Sequence, residues 1–117
     1  MHGDIAGCTI FDGTADPIVT DLYPAWHPAA WTVALLIVDT MSWGNAPDAL
    51  LDRWAHLPDF TQLVLRAVMY RLFLHAMLPN SQPESWEGLA RVADVVAAWV
   101  AKRNEESAGG CPERMTD

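Results

Sequence analysis

The sequence predicts a mainly all-α fold: a compact four-helix domain preceded by an extended arm or short β-hairpin. Three observations carry that expectation. Proline and glycine punctuate residues 28–104 into four segments with helical periodicity. The stretch Phe60–Met77 is apolar on almost every side, as a central helix would be. Residues 1–27 have no helical period and are rich in Gly, Asp, Thr and Pro. At 117 residues the chain is read as one domain, long enough to bury a core without disulfides or metals. The expected divisions are an arm over 1–27, a helical domain over 28–104 and a flexible polar tail over 105–117.

In the arm, Ile18-Val-Thr-Asp-Leu-Tyr23 alternates as a strand does, and Cys8-Thr-Ile-Phe11 pairs with it across the turn-rich Asp12 to Pro17. A lone hairpin is marginal unless it docks, so Phe11, Leu22 and Tyr23 are the expected anchors on the helices. The first helix is expected over Pro28–Trp43, with Pro28 in its first turn and Gly44 closing it in the left-handed conformation. Asn45 is placed to cap a second helix, Ala46–His56, which Leu57-Pro58 ends.

The third helix opens on Asp59 and Gln62, a pair with capping-box spacing, and stops at Leu78-Pro79. Leu63, Tyr70 and Met77 fall on one side, Val64 and Val68 nearly opposite, and Leu65, Leu72 and Ala76 on a third. With no wide polar face, this helix must be surrounded, inside the domain or as half of a subunit interface. Ser81 and Glu84 repeat the capping spacing before a fourth helix over 82–104. Its apolar stripe is Trp86, Leu89, Ala93, Val96 and Val100, with Glu87 and Arg91 spaced for a weak surface pair.

The net charge of −8 is unevenly placed. Residues 1–59 hold eight Asp against one Arg, a balance of −7, whereas residues 60–117 are nearly neutral. An acidic field repels phosphate and attracts basic surfaces. Direct nucleic-acid binding is therefore not expected: the chain has a single lysine, Lys102, and no basic cluster. Six tryptophans, at 26, 31, 43, 54, 86 and 99, exceed what packing asks of so short a chain, and some are expected at an interface.

Neither apolar helix is expected to span a membrane. The first is interrupted by Asp39 after a run of about eleven residues, and the third carries Arg66, Arg71 and His75. Nothing at the start of the sequence has the pattern of a cleavable secretory signal, which leads to the expectation of a reduced, cytoplasmic protein. Cys8 and Cys111, near opposite ends, are not expected to pair.

Ile10-Phe-Asp-Gly-Thr-Ala-Asp16 resembles a fragment of the haloacid-dehalogenase phosphatase signature, Asp-x-Asp-Gly-Thr. Ile10 stands where that family has its nucleophilic aspartate, and so helical a chain lacks the parallel sheet that carries the loop. Asp12-Gly13 and Asp16-Pro17 are read as turns instead. The four histidines and two cysteines show no zinc-site spacing, the aspartates no EF-hand spacing, and no nucleophile elbow or phosphate loop is present. No metal, no cofactor and no enzymatic activity are expected.

One constellation follows from the helix plan. Asp39 and the arginines Arg66 and Arg71 are charges on mostly buried helices, so Asp39 is expected to form a structural ion pair with one of them. The first functional expectation is an acidic interaction module that binds a basic surface on a larger protein. In composition and size it resembles the small acidic inhibitors of phages and mobile elements, which imitate nucleic-acid charge. Asp4, Asp12, Asp16, Asp21, Asp48 and Asp52 are the candidate contact residues, with Trp26 and Trp54 as aromatic anchors. The alternatives are a homo-oligomeric subunit, such as a homodimer, or an accessory structural subunit of a larger complex, and a small ligand-binding or enzymatic helical bundle using Asp39, Arg66, Arg71 and His75.

Overall fold

The computed structural model describes residues 1–110, and the sequence places its elements where glycine and proline divide the chain. A two-stranded antiparallel hairpin, β1 (Thr9–Ile10) and β2 (Ile18–Val19), precedes four helices. These are α1 (Ala29–Trp43), α2 (Leu50–Trp54), α3 (Phe60–Met77) and α4 (Pro83–Gly109). Cys111, its pairing with Cys8, and tail residues 111–117 lie outside the described residues. Among the described residues no helix is long and apolar enough to cross a membrane.

Helices α1, α3 and α4 pack on one another. Their core joins Ile37, Val38 and Met41 of α1, Phe60, Leu63, Val64 and Ala67 of α3, and Leu89, Val92, Val96 and Val100 of α4, with Leu51 of α2 closing one side. The α4 residues recur at intervals of three and four, the period that keeps one helical stripe facing inward. The stripe runs through Val92, while Trp86 is 46 % exposed. Gly88 lies where α4 meets the end of α1: a Cβ there would fall against the Ser42 carbonyl oxygen.

Several helix ends differ from expectation for local physical reasons. Gly44 is not left-handed (φ −105°); Asn45 takes that conformation instead (φ 55°), as asparagine tolerates, and so does not cap α2. Only Leu50–Trp54 of the expected Ala46–His56 is α-helical, flanked by tighter turns such as Leu50 N–H to Pro47 O and Ala55 N–H to Asp52 O. Asp59 is also left-handed (φ 55°), which takes its carboxylate away from the capping geometry, and it makes no side-chain cap. Ser81 donates to the carbonyls of His75 (2.7 Å) and Leu78 (3.1 Å), closing α3 rather than opening α4. Helix α4 begins on Gln82 and Pro83 and runs five residues past the expected end at Asn104, so residues 105–109 are helical rather than tail. Lys102 and Glu106, four apart, meet there at 4.0 Å.

The arm is fastened by its backbone and not by the expected apolar anchors. Residues 1–3 run beside 23–25, with Gly3 N–H donating to Tyr23 O and the N-terminal ammonium to Ala25 O. His2 N–H donates to Thr32 Oγ1 (3.0 Å), and Thr32 Oγ1 donates back to His2 O (3.1 Å), so one threonine of α1 holds both backbone groups of His2. Cys8 is buried at the root of the hairpin. Phe11, Leu22 and Tyr23 are exposed, because two-residue strands are too short to lay the hairpin tip on the helices.

Candidate functional site

Two surface regions are candidates for a functional site: a cleft between the arm and the helix ends, and the outward apolar surface of the arm and α3. At the floor of the cleft, Asp39 of α1 meets Arg71 of α3. Arg71 Nε donates to Asp39 Oδ1 at 2.7 Å and Nη2 to Oδ2 at 2.6 Å, a fork that matches the carboxylate. The two side chains are 7 % and 11 % exposed. Arg71 Nη2 also donates to Gly3 O at 3.3 Å, so the same guanidinium tethers the arm.

Burial raises the Asp39 carboxyl above its ordinary value; the bonds and charge of Arg71 oppose this, and the nearby Asp4 adds to it. For Arg71, burial works against the charge, but the bonds and charge of Asp39, with Asp4, outweigh it and hold the guanidinium above its ordinary value. Two carboxylates thus surround one guanidinium. Arg66, the other candidate partner, is exposed and pairs with no acid among the described residues. On the 100° helical period it lies well round the cylinder from Arg71, which leaves only Arg71 facing α1.

Above the ion pair the cleft opens to about 450 Å³. It is lined by Asp4 and Gly7 of the arm, by Trp43, Leu74 and Leu78, and by the turn Asn80–Gln82. Asp4 Oδ1 accepts the Gly7 N–H at 3.2 Å, which folds the arm back around the carboxylate. His75 Nε2 lies 3.3 Å from Gln82 O and therefore donates to it, while the ring packs 5.5 Å from Trp86. The Ser81 hydroxyl is committed to backbone carbonyls and is not aligned with His75 as a nucleophile with its base. Of the ligand-site residues expected from the sequence, the cleft brings together Asp39, Arg71 and His75 but not Arg66, which lies on the outward groove of α3, and it adds Asp4 and Trp43. Asp4 carried no signal for this place, since its position depends on how the arm folds back.

The remaining candidate contact residues are divided. Asp12, Asp16, Asp21 and Trp26 lie exposed on the arm, and Trp26 is fully exposed at 101 %. Asp21 Oδ1 accepts the Leu22 N–H, and the Asp12 carbonyl closes a turn with Ala15. Asp48 and Asp52 instead serve the helical body. Asp48 pairs with Arg91 at 3.2 Å, displacing the expected Glu87–Arg91 pair, and Asp52 accepts the Trp99 indole N–H at 2.8 Å. Arg91 also donates to Met41 O at 2.7 Å. Trp54 is half-buried, packed on the core and stacked with His56. Among the described residues no three His, Cys, Asp or Glu side chains gather as a metal site.

Helix α3 is not surrounded along its length. Its first half is buried through Phe60, Leu63, Val64, Ala67 and Val68, but Met69, Tyr70, Phe73 and Met77 are 43–73 % exposed. With Trp31 and Arg66 they line a shallow apolar groove. Among the described residues, three helices and a five-residue α2 leave no element covering that side. No protein-family model, curated protein or solved structure matches the chain.

Proposed function

We propose that this chain is a protein-interaction module that docks through its acidic N-terminal arm on a basic surface of a larger protein. One observation carries the reading: the arm leaves Phe11 (75 %), Leu22 (74 %) and Trp26 (101 %) exposed beside Asp12, Asp16 and Asp21. Burying such side chains yields about 25 cal/mol per Å² of apolar surface, so a partner with apolar pockets gains from covering them. The carboxylates around them favour a cationic partner and speed its approach. Asp48, Asp52 and Trp54, tied to α4 or the core, are left out of this contact surface.

In its sharpest form the partner is a nucleic-acid-binding protein whose basic groove the arm occupies, with no direct nucleic-acid contact by this chain. The reading carries a cytoplasmic setting with it, where the Cys8 thiol stays reduced. The test is a nuclease-treated pull-down from cells of the source, run in parallel with wild type and a Leu22→Ser/Trp26→Ala variant and eluted in salt steps. A basic protein retained by wild type, lost by the variant and released by salt supports the reading. Identical retention by both proteins, or release insensitive to salt up to about 0.5 M, counts against it.

A second reading has its own observation. The apolar stripe Met69, Tyr70, Phe73 and Met77 is what a homodimer built on α3 would bury. Sedimentation across a hundredfold concentration range tests it, with Phe73→Arg as the disrupting variant. A concentration-dependent mass that Phe73→Arg abolishes supports the dimer, and a constant monomer mass excludes it.

A further inference from the structure

We propose that the cleft between the arm and the ends of α1 and α3 binds a small organic cation, an amine with an apolar body. Its charges do not cancel. Asp4 and Asp39 face a single cation, Arg71, whose fork is already taken by Asp39 and whose Nη2 also reaches Gly3 O. The Asp4 carboxylate accepts the Gly7 N–H and pairs with no cationic side chain among the described residues. One negative charge is therefore left at the mouth of a half-enclosed site.

The helix ends act in the same sense. Trp43 is the last residue of α1, and Leu74, His75 and Leu78 surround the end of α3, so two carbonyl termini with partial negative charge border the cleft. The N-terminus of α4 opposes them near Gln82 and Ser85, but Glu84 in its first turn offsets that end.

The walls set the rest of the ligand. Trp43, Leu74 and Leu78 line the same cleft as Asp4 with an indole and two aliphatic side chains, and a cleft of about 450 Å³ is in the range of small-molecule sites. An ammonium on the Asp4 side with a hydrocarbon or aromatic body against Trp43 satisfies both halves, and Trp43 also adds cation–π attraction. Carboxylates and phosphates are excluded by the same charges. This site is separate from the exposed arm tip, and it stands or fails independently of the docking reading.

Three probes of one shape test it: tryptamine, neutral tryptophol and indole-3-acetate, titrated calorimetrically into the full chain. Tryptamine is expected to bind saturably at one site, tryptophol roughly tenfold or more weaker, and indole-3-acetate not measurably. Asp4→Asn keeps the oxygen that accepts the Gly7 N–H, so it retains the fold, checked by an unchanged melting temperature, and is expected to weaken tryptamine roughly tenfold or more. Asp94→Asn, on the exposed side of α4, removes the same charge from the chain and is expected to leave binding unchanged. Equal binding of the three probes, no saturable binding of tryptamine, or equal losses from Asp4→Asn and Asp94→Asn would each overturn the proposal.

Discussion

Arg71 grips Asp39 through two parallel bonds of 2.7 and 2.6 Å, and from the same Nη2 it also holds the Gly3 carbonyl of the arm. One guanidinium thus sets the register of α1 against α3 and positions the arm above both. Removing one partner strands the other charge in a site where little water reaches it. Asp39→Ala and Arg71→Met are each expected to cost about 3–5 kcal/mol in chemical denaturation. The double variant Asp39→Leu/Arg71→Met is expected to cost less than either single change, because no unpaired charge is left behind. Additive losses would show that the two residues act separately.

The raised Asp39 carboxyl makes stability depend on acid in a definite direction. The folded chain holds a proton on Asp39 more tightly than the unfolded chain, whose value is near 3.8. The resulting stabilisation is full below 3.8 and is lost as pH rises through the folded pKa. Thermal melts of wild type and Asp39→Asn at several pH values check this. The melting temperature of wild type relative to the variant is expected to fall as pH rises from about 3.5 to about 6. A relative increase over that interval would mean that Arg71 outweighs burial.

Gly88 is a contact between helices rather than a flexible point. In an exposed helix interior, glycine to alanine stabilises by about 0.5–1 kcal/mol. At residue 88 the added methyl meets the Ser42 carbonyl oxygen, a backbone atom that cannot swing aside. Gly88→Ala is therefore expected to destabilise by about 1–3 kcal/mol in urea titration. A stabilised variant would place α1 and α4 further apart than described.

Thr32 fastens the arm at a point remote from the hairpin tip. Thr32→Val keeps the side-chain shape but removes the oxygen that bonds both backbone groups of His2. Hydrogen exchange is expected to quicken at the amides of His2 and Gly3 and across β1 and β2, while Val64, Ala67 and Val96 in the core stay protected. Uniform acceleration through the core would show that the arm folds as one unit with the helices.

Cys8 is 6 % exposed, and burial, then Asp4 and Asp21, push its thiol above the ordinary range. Less thiolate is present at any given pH, so alkylation slows. In a Cys111→Ser variant, iodoacetamide at pH 8 is expected to label Cys8 severalfold more slowly in buffer than in denaturant. Equal rates would mean that the root of the hairpin opens freely.

Local chemistry made the helices and the hairpin legible. The inward period of α4 and the alternation of Ile18-Val-Thr are carried by neighbouring residues, and proline and glycine mark where each element stops. The need to pair Asp39 was legible too, since a charge within an apolar helix requires a partner wherever the chain goes. Helix ends were less so: a capping pair such as Asp59 and Gln62 works only when the first residue is extended, and Asp59 is left-handed.

Arg71 over Arg66, the place of Asp4 beside the ion pair, and the exposed face of α3 depended on tertiary structure. Arg66 and Arg71 are equivalent in composition and separated only by rotation about the helix axis, which matters once α1 lies on one side. The apolar girth of α3 likewise states that the helix favours company on all sides. Only the packing shows that α1 and α4 cover its first half and leave Phe73 and Met77 open. Periodicity is a property of one segment, whereas exposure and charge pairing are set by which segments meet.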